Sequence, residues 1–208
     1  MKKLLILFLI AFASYKANAM DPYSYDGRIQ AYIRTDFKFM NNMDDDFSLL
    51  FGAEFGIIIY QQLAIGIGGW FYAPSSILVH DALPLYRDFL LHFSYGGIHL
   101  EYIFNPNKLY HFTVNCILGF GDSYVSTEYY TDLTTSKIKK YGTESFGIIE
   151  PGIQFEVNLF SWMKVALGGS YLYLYEFDNF YGYKKSDFEG LAGVLTLKFD
   201  INPKKNYY

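Results

Sequence analysis

Between Arg28 and Phe39 the chain changes character at every residue. Ile29, Ala31, Ile33, Thr35, Phe37 and Phe39 alternate with Arg28, Gln30, Tyr32, Arg34, Asp36 and Lys38. Strand side chains point to opposite faces in turn, so this segment has one greasy and one charged face. A helix would mix the two sets around its circumference. The same period of two predicts seven further strands. The second carries Phe47, Leu49, Phe51, Ala53, Phe55, Ile57 and Ile59 on its apolar face, and the third Leu63, Ile65, Ile67 and Phe71. The fifth carries Phe112, Val114, Cys116, Leu118 and Phe120; the sixth Ile149, Ile153, Phe155 and Val157. Val165, Leu167, Tyr171 and Tyr173 mark the seventh, and Leu191, Leu195, Leu197 and Phe199 the eighth.

Two places break the rhythm. In the fourth strand, over 88–104, the stripe passes from Phe89, Leu91, Phe93 and Tyr95 to Ile98, Leu100 and Tyr102, and Gly96-Gly97 at the slip predicts a β-bulge. Pro151 cannot donate to a ladder, which predicts a bulge or local irregularity in the sixth strand. The uncharged stretch from Gly56 to Val79 is long enough for a transmembrane helix. Its Gln61-Gln62 break, its glycines and its period of two favour a hairpin.

The connections alternate in length. Residues 40–46, 74–87, 122–144 and 176–188 form long polar loops, and residues 60–62, 105–109 and 158–162 form short turns. That asymmetry predicts an all-β fold, an eight-stranded antiparallel transmembrane β-barrel of up-and-down meander order, with both chain ends on the short-turn side. A soluble barrel built around a ligand alternates too, but with its apolar face inward. Eight strands enclose a space barely wide enough for their own side chains. The many Phe, Tyr, Leu and Ile of the apolar stripes do not fit there, whereas the opposite face is rich in Gly, Ala and Ser. The greasy face therefore points outward, into lipid. Two hairpins also match at an offset of 100 residues: Gly52-x-x-Phe55-x-Ile57 with Gly152-x-x-Phe155-x-Val157, and Ile67-Gly68-Gly69 with Leu167-Gly168-Gly169.

Composition sharpens this placement. The 208 residues include 21 Tyr, 20 Phe and 2 Trp, and only 18% are charged, against roughly 25% in soluble domains. Most of the rings are expected in a lipid-facing band and its girdles. Mean hydropathy of +0.08 is too low for a bundle of transmembrane helices. Lys2 and Lys3, the apolar run Leu4–Ala13 and Ala17-Asn18-Ala19 follow the order of a secretory signal peptide over residues 1–19. The ten-residue run is too short for a membrane anchor. Cleavage there removes three of the 17 Lys+Arg and leaves 14 against 21 Asp+Glu, so nucleic acid is not an expected partner. The barrel is then expected over 20–201, with 202–208 as a periplasmic tail. The single Cys116 leaves no intramolecular disulfide.

Glu150-Pro151-Gly152-Ile153, Glu156-Val157-Asn158, Gly168-Gly169-Ser170-Tyr171 and Leu197-Lys198-Phe199 resemble the closing hairpins of small outer-membrane barrel proteins of diderm bacteria, of the OmpX/OmpW type. The sequence departs from that pattern at Leu172, where related sequences often carry Arg, and in the nine residues after Phe199. The resemblance implies a bacterial outer-membrane location, insertion by the outer-membrane assembly machinery, lipid contact and a monomer. It implies an architecture more than an activity, because fold does not set function.

The inward face carries charges of both signs: Arg28, Arg34, Glu54, Glu101, His111, Glu150, Glu156, Lys164 and Lys198. Centred turns place Arg34 diagonal to Glu54, Glu156 across from Lys164, and Glu101 across from His111. Inside a narrow barrel such charges must pair, which predicts a structural lumen network. A gated proton or ion path is the sharper alternative. Asp44-Asp45-Asp46 lacks the alternate ligand spacing of a calcium loop and reads as a solvated acidic turn, so no metal or cofactor is expected. His80-Asp81, Asp88, Asp122 and Asp178 sit near loop bases. With no G-x-S-x-G, HExxH or P-loop in the chain, a rim-located lipid or peptide hydrolase ranks third. Gly66-x-Gly68 and Gly119-x-Gly121 are strand glycines rather than nucleotide motifs. Tyr124, Tyr129, Tyr130 and Tyr141 on the third loop suit adaptable contacts to an extracellular ligand. The leading expectation is a structural or surface-interaction role through the loops, ahead of a small-molecule binder or conduit.

Overall fold

A computed structural model of the chain describes residues 29–43, 46–72, 89–132, 135–178 and 184–201. Eight strands run β1 Gln30–Met43, β2 Asp46–Ile59, β3 Leu63–Tyr72, β4 Phe89–Ile103, β5 Tyr110–Asp132, β6 Thr135–Phe160, β7 Met163–Tyr175 and β8 Gly190–Asp200. One helical turn, α1, spans Lys185–Phe188. Each strand pairs antiparallel with the next, and β1 pairs with β8 to close the barrel. The eight-stranded meander expected from the alternation is therefore the observed fold.

Period-two patterning sorts the side chains between two surroundings. On β1, Tyr32, Arg34, Asp36 and Lys38 are buried in the lumen, while Ile33 and Phe39 face out. Phe55, Leu167, Phe120 and Leu191 are 62%, 62%, 73% and 75% exposed on the outer wall. Water does not match such a surface; hydrocarbon does. At the short-turn end Phe160, Trp162 and Phe199 stack at centroid distances of 5.5 and 6.1 Å, as part of an aromatic girdle. The turn after β2 is tight because Tyr60 and Gln61 both take positive φ, 50° and 60°, and the N–H of Gln62 donates to the carbonyl of Ile59.

The two hairpins matched at an offset of 100 share a register as well. Gly52 faces Trp70 and Phe55 faces Ile67, just as Gly152 faces Ser170 and Phe155 faces Leu167. A Cβ on Gly52 would fall 1.9 Å from the Trp70 ring, and one on Gly152 would fall 2.5 Å from Asn115 Oδ1. Both glycines make room for an inward neighbour.

Several sequence expectations are corrected. No bulge interrupts β4: Gly96 pairs with Gly69 and Phe120, and Gly97 with Gly68 and Gly119, in unbroken register. Leu91, Phe93 and Tyr95 instead point inward, because the lumen itself turns apolar there. The third loop is largely strand. β5 and β6 pair from Tyr110–Val157 up to Asp132–Thr135, with a shift beside Tyr124 where Gly142 takes a φ of 61°. The first loop shrinks to a hairpin between Met43 and Asp46, with Asp44 and Asp45 outside the described residues. The local irregularity expected at Pro151 is present, as a gap rather than a bulge: the β6–β7 ladder lapses between Ile149–Tyr173 and Gly152–Ser170 and resumes in the same register.

Candidate functional site: the lumen and its rim

Because β1 carries a polar residue at each inward position from Gln30 to Lys38, it lays Tyr32, Arg34, Asp36 and Lys38 along the barrel axis. Arg34 is the hub. Its Nε donates to Asp36 Oδ1 at 2.8 Å, and its Nη1 donates to Glu101 Oε2 at 3.0 Å and to His99 Nε2 at 3.1 Å. Glu54 accepts from the Tyr32 hydroxyl and from His99 Nδ1, the latter at 2.9 Å. Lys198 bridges Glu101 and Glu156 at 2.6 and 2.7 Å, and Glu156 also meets His111 Nε2 at 2.8 Å. Nearer the long-loop end, Lys38 donates to both oxygens of Glu150 at 2.7 Å and lies 4.6 Å from the centre of the Trp70 ring. Tyr95 and Ser170 donate to Glu150 at 2.8 and 2.6 Å. Asp36 is completed by Thr196 at 2.6 Å and by Trp70 Nε1 at 3.1 Å.

The side chains that meet are not the ones the turns suggested. Glu54 stands directly opposite Arg34, not diagonal to it, and its Oε2 is 4.0 Å from the guanidinium. Glu156 lies opposite Ala166, while Lys164 faces Asn158 and pairs with Asp200 at 3.1 Å. Glu101 lies opposite Asn115, and His111 opposite Glu156. The turns are centred differently from the sequence estimate, and long side chains pair across the lumen rather than along one wall. Arg28 lies outside the described residues. Asp36, Lys38 and His99 belong to the network although they were not singled out as site residues. Their signal was present in the inward phase of β1 and β4.

Above Lys38 the lumen is apolar. Met40, Leu50, Leu91, Phe93, Phe146, Ile148, Leu172 and Leu174 are buried together there. The connection after β7 folds into the mouth instead of standing in solvent. Phe188 stacks on Phe93 at 5.2 Å, Phe93 stacks on Phe146 at 4.9 Å, and Phe177 packs on Phe146 at 5.8 Å. Glu189 anchors this lid by accepting from the N–H of Leu174 at 2.8 Å. The aromatic plug closes the long-loop end of the barrel, which an open conduit would need free.

On the outer rim Tyr124 stacks on His92 at 4.4 Å, and the Lys140 ammonium lies 4.2 Å from the Tyr124 ring centre. Tyr129, Tyr130 and Tyr141 belong to the same β5–β6 ribbon, but their side chains fall outside the described set. His92 Nε2 is 2.8 Å from Ser126 Oγ, a pairing that sequence spacing does not reveal because it crosses from β4 to β5. Ser126 is 3% exposed, so its hydroxyl is not presented to a substrate carbonyl. Asp122 and Asp178 are exposed near the rim, whereas His80, Asp81 and Asp88 lie outside the described residues. Among the described residues no group of three or more His, Cys, Asp or Glu could hold a metal ion.

No protein-family model matches the chain, and no curated protein sequence matches it. Solved structures do. The N-terminal β-barrel domain of Pseudomonas aeruginosa OprF aligns over 85% of this chain and 100% of its own, at 11% identity and a TM-score of 0.50. Neisserial surface protein A aligns over 83% of this chain and 95% of its own, at 11% identity and 0.46. Ail, the attachment invasion locus protein of Yersinia pestis, aligns over 84% and 97%, at 10% identity and 0.47. At these identities the likeness is one of fold. The chain has the fold of the small eight-stranded outer-membrane β-barrels.

Proposed function

We propose that the protein is an integral bacterial outer-membrane barrel that acts as a structural element and, adhesin-like, as a surface contact through its β5–β6 ribbon. One observation carries the reading: the longest hairpin of the barrel rises over a plugged lumen. β5 and β6 continue to Asp132 and Thr135, whereas β7 stops against Gly147, and the described part of β4 reaches Thr127. Beyond Gly147 the β6 edge of the ribbon has no strand partner among the described residues; such an edge invites contact, and a plugged bore does not conduct. The same proposal assigns residues 1–19 to export, residues 202–208 to a periplasmic tail, insertion to the outer-membrane machinery, and a monomer to the membrane. The lumen charges then serve the wall they brace.

Deleting residues 128–138 is expected to abolish attachment of expressing cells to their target surface while the heat-dependent gel shift of the barrel persists. Unchanged attachment overturns the contact role, and steady conductance of the intact protein in planar bilayers favours the conduit. Ile153→Arg, on the 56%-exposed outer position of β6, is expected to cost about 2–4 kcal/mol near the bilayer midplane. Unfolding by urea in phospholipid vesicles reads that loss, and tolerance of the arginine reverses the choice of lipid face.

A further inference from the structure

Among the described residues five lumen carboxylates, Asp36, Glu54, Glu101, Glu150 and Glu156, are buried with three permanent cations, Arg34, Lys38 and Lys198. The Lys164–Asp200 pair near the short-turn mouth balances itself. Two histidines remain. A guanidinium has no acceptor, so Arg34 donates to His99 Nε2, and the one ring proton of His99 sits on Nδ1 toward Glu54. His111 is different. Its Nε2 meets Glu156, while its buried Nδ1 has no partner among the described residues.

That atom heads a column. Thr113 Oγ1, Asn115 Nδ2, Gln154 Oε1 and Asn158 Oδ1 are also buried without a protein partner among the described residues. His111, Thr113 and Asn115 are successive inward positions of β5, Gln154 faces Thr113 across the ladder, and Asn158 lies at the foot of β6. Asn158 lines a vestibule of ≈ 500 Å³ at the short-turn end, together with Lys164 and Asp200. Inward positions on one strand repeat every ~6.8 Å. One water bonded to two groups spans about 5.6 Å, so one or two waters link each pair. Above Asn115 the wall carries Ile117 beside Glu150, whose oxygens are taken by Lys38, Tyr95 and Ser170. Ile148 and Phe146 follow, offer water nothing, and separate the column from Ser123 Oγ, the next buried atom of β5 without a partner among the described residues.

We propose that a one-ended file of water molecules runs from the short-turn vestibule up the β5–β6 wall, hydrogen-bonded to His111 Nδ1, Thr113 Oγ1, Asn115 Nδ2 and Gln154 Oε1, and hydrates the foot of a lumen whose buried carboxylates outnumber its permanent cations. Water at Nδ1 leaves the Nε2–Glu156 bond in place. The assignment needs a closed barrel with a dry upper half and does not depend on which membrane surrounds it.

Magic-angle-spinning NMR of the full barrel in lipid bilayers tests it. Magnetisation transferred from water should reach the side chains of His111, Thr113, Asn115 and Gln154 and miss Ile117 and Ile148. Dry side chains at 113 and 115 overturn the proposal. Asn158→Trp, which fills the mouth, should abolish the transfer to Thr113. Phe188→Ala, which loosens the far end, should leave it unchanged. If Phe188→Ala raises the transfer and Asn158→Trp does nothing, the file fills from the other end and the one-ended path is wrong. Should the tryptophan variant fail to fold, the wild-type spectrum and Phe188→Ala decide the matter.

Discussion

The two halves of the lumen share one wall and are filled by opposite chemistries. Toward the short turns, side chains from β1, β2, β4, β6 and β8 meet as ions, with Arg34 and Lys198 each touching two carboxylates. Toward the long loops the same strands contribute Met40, Leu50, Phe93, Ile148 and Val194, and a folded-in segment adds Phe177 and Phe188. The charged half is held by partners: a buried ion is tolerated only while its counter-ion stays in place. The apolar half is held by contact and by the exclusion of water, which its lid enforces. A barrel of this width therefore needs no uniform filling. Each level takes whichever chemistry its own end of the lumen can keep satisfied.

The comparison breaks first at its strongest contact. Glu150→Ala takes both carboxylate bonds from Lys38 and is expected to cost about 3–5 kcal/mol, read from the urea midpoint in detergent micelles. Lys38→Met combined with Glu150→Leu should recover most of that loss, because the pair borders the apolar half and a matched apolar replacement leaves no stranded charge. Failure to recover would mean that the charged layer sets the packing of its neighbours as well as its own. In the apolar half, Phe188→Ala should cost about 3 kcal/mol, at the low end for a buried phenylalanine. The loss should show as faster amide exchange around α1 and the end of β7, with the charged half still protected. Exchange rising equally in both halves would show them to be one cooperative unit. The smallest change, Thr196→Val, removes one donor from Asp36 and leaves Arg34 and Trp70 in place. About 1.5 kcal/mol is expected from the same urea titration.

How far the sequence could be read depended on the kind of information asked of it. On β1, β2 and β3 the inside and the outside of the barrel are legible residue by residue, because a stripe of large apolar side chains faces lipid while the other face carries charge on β1 and β2 and small residues around Trp70 on β3. On β4 the same reading failed at Leu91, Phe93 and Tyr95. There both faces are apolar or small, so a period-two stripe cannot say which side it lines, and a bulge was inferred to repair a phase that is in fact continuous. Residues 122–144 read as a loop because their Tyr, Ser, Thr and Lys carry no core-facing stripe. They are largely strand because β5 and β6 continue to hydrogen-bond each other up to Asp132 and Thr135.

By itself the sequence determined the strand count, the closed meander and the outward turn of the apolar stripes on β1, β2 and β3, since alternation and loop length are local properties that need no partner. Tertiary structure alone decided who meets whom. Arg34, His99 and Glu101 come from β1 and β4, and Glu101 reaches Lys198 on β8, on strands brought near one another only once the sheet has curled and closed. Register offsets of one or two residues at the turns moved Glu156 away from Lys164 and toward His111. The folding of α1 into the mouth turned an open bore into a capped one. Pairing across a lumen depends on curvature and shear, and neither is written in the period of a single strand.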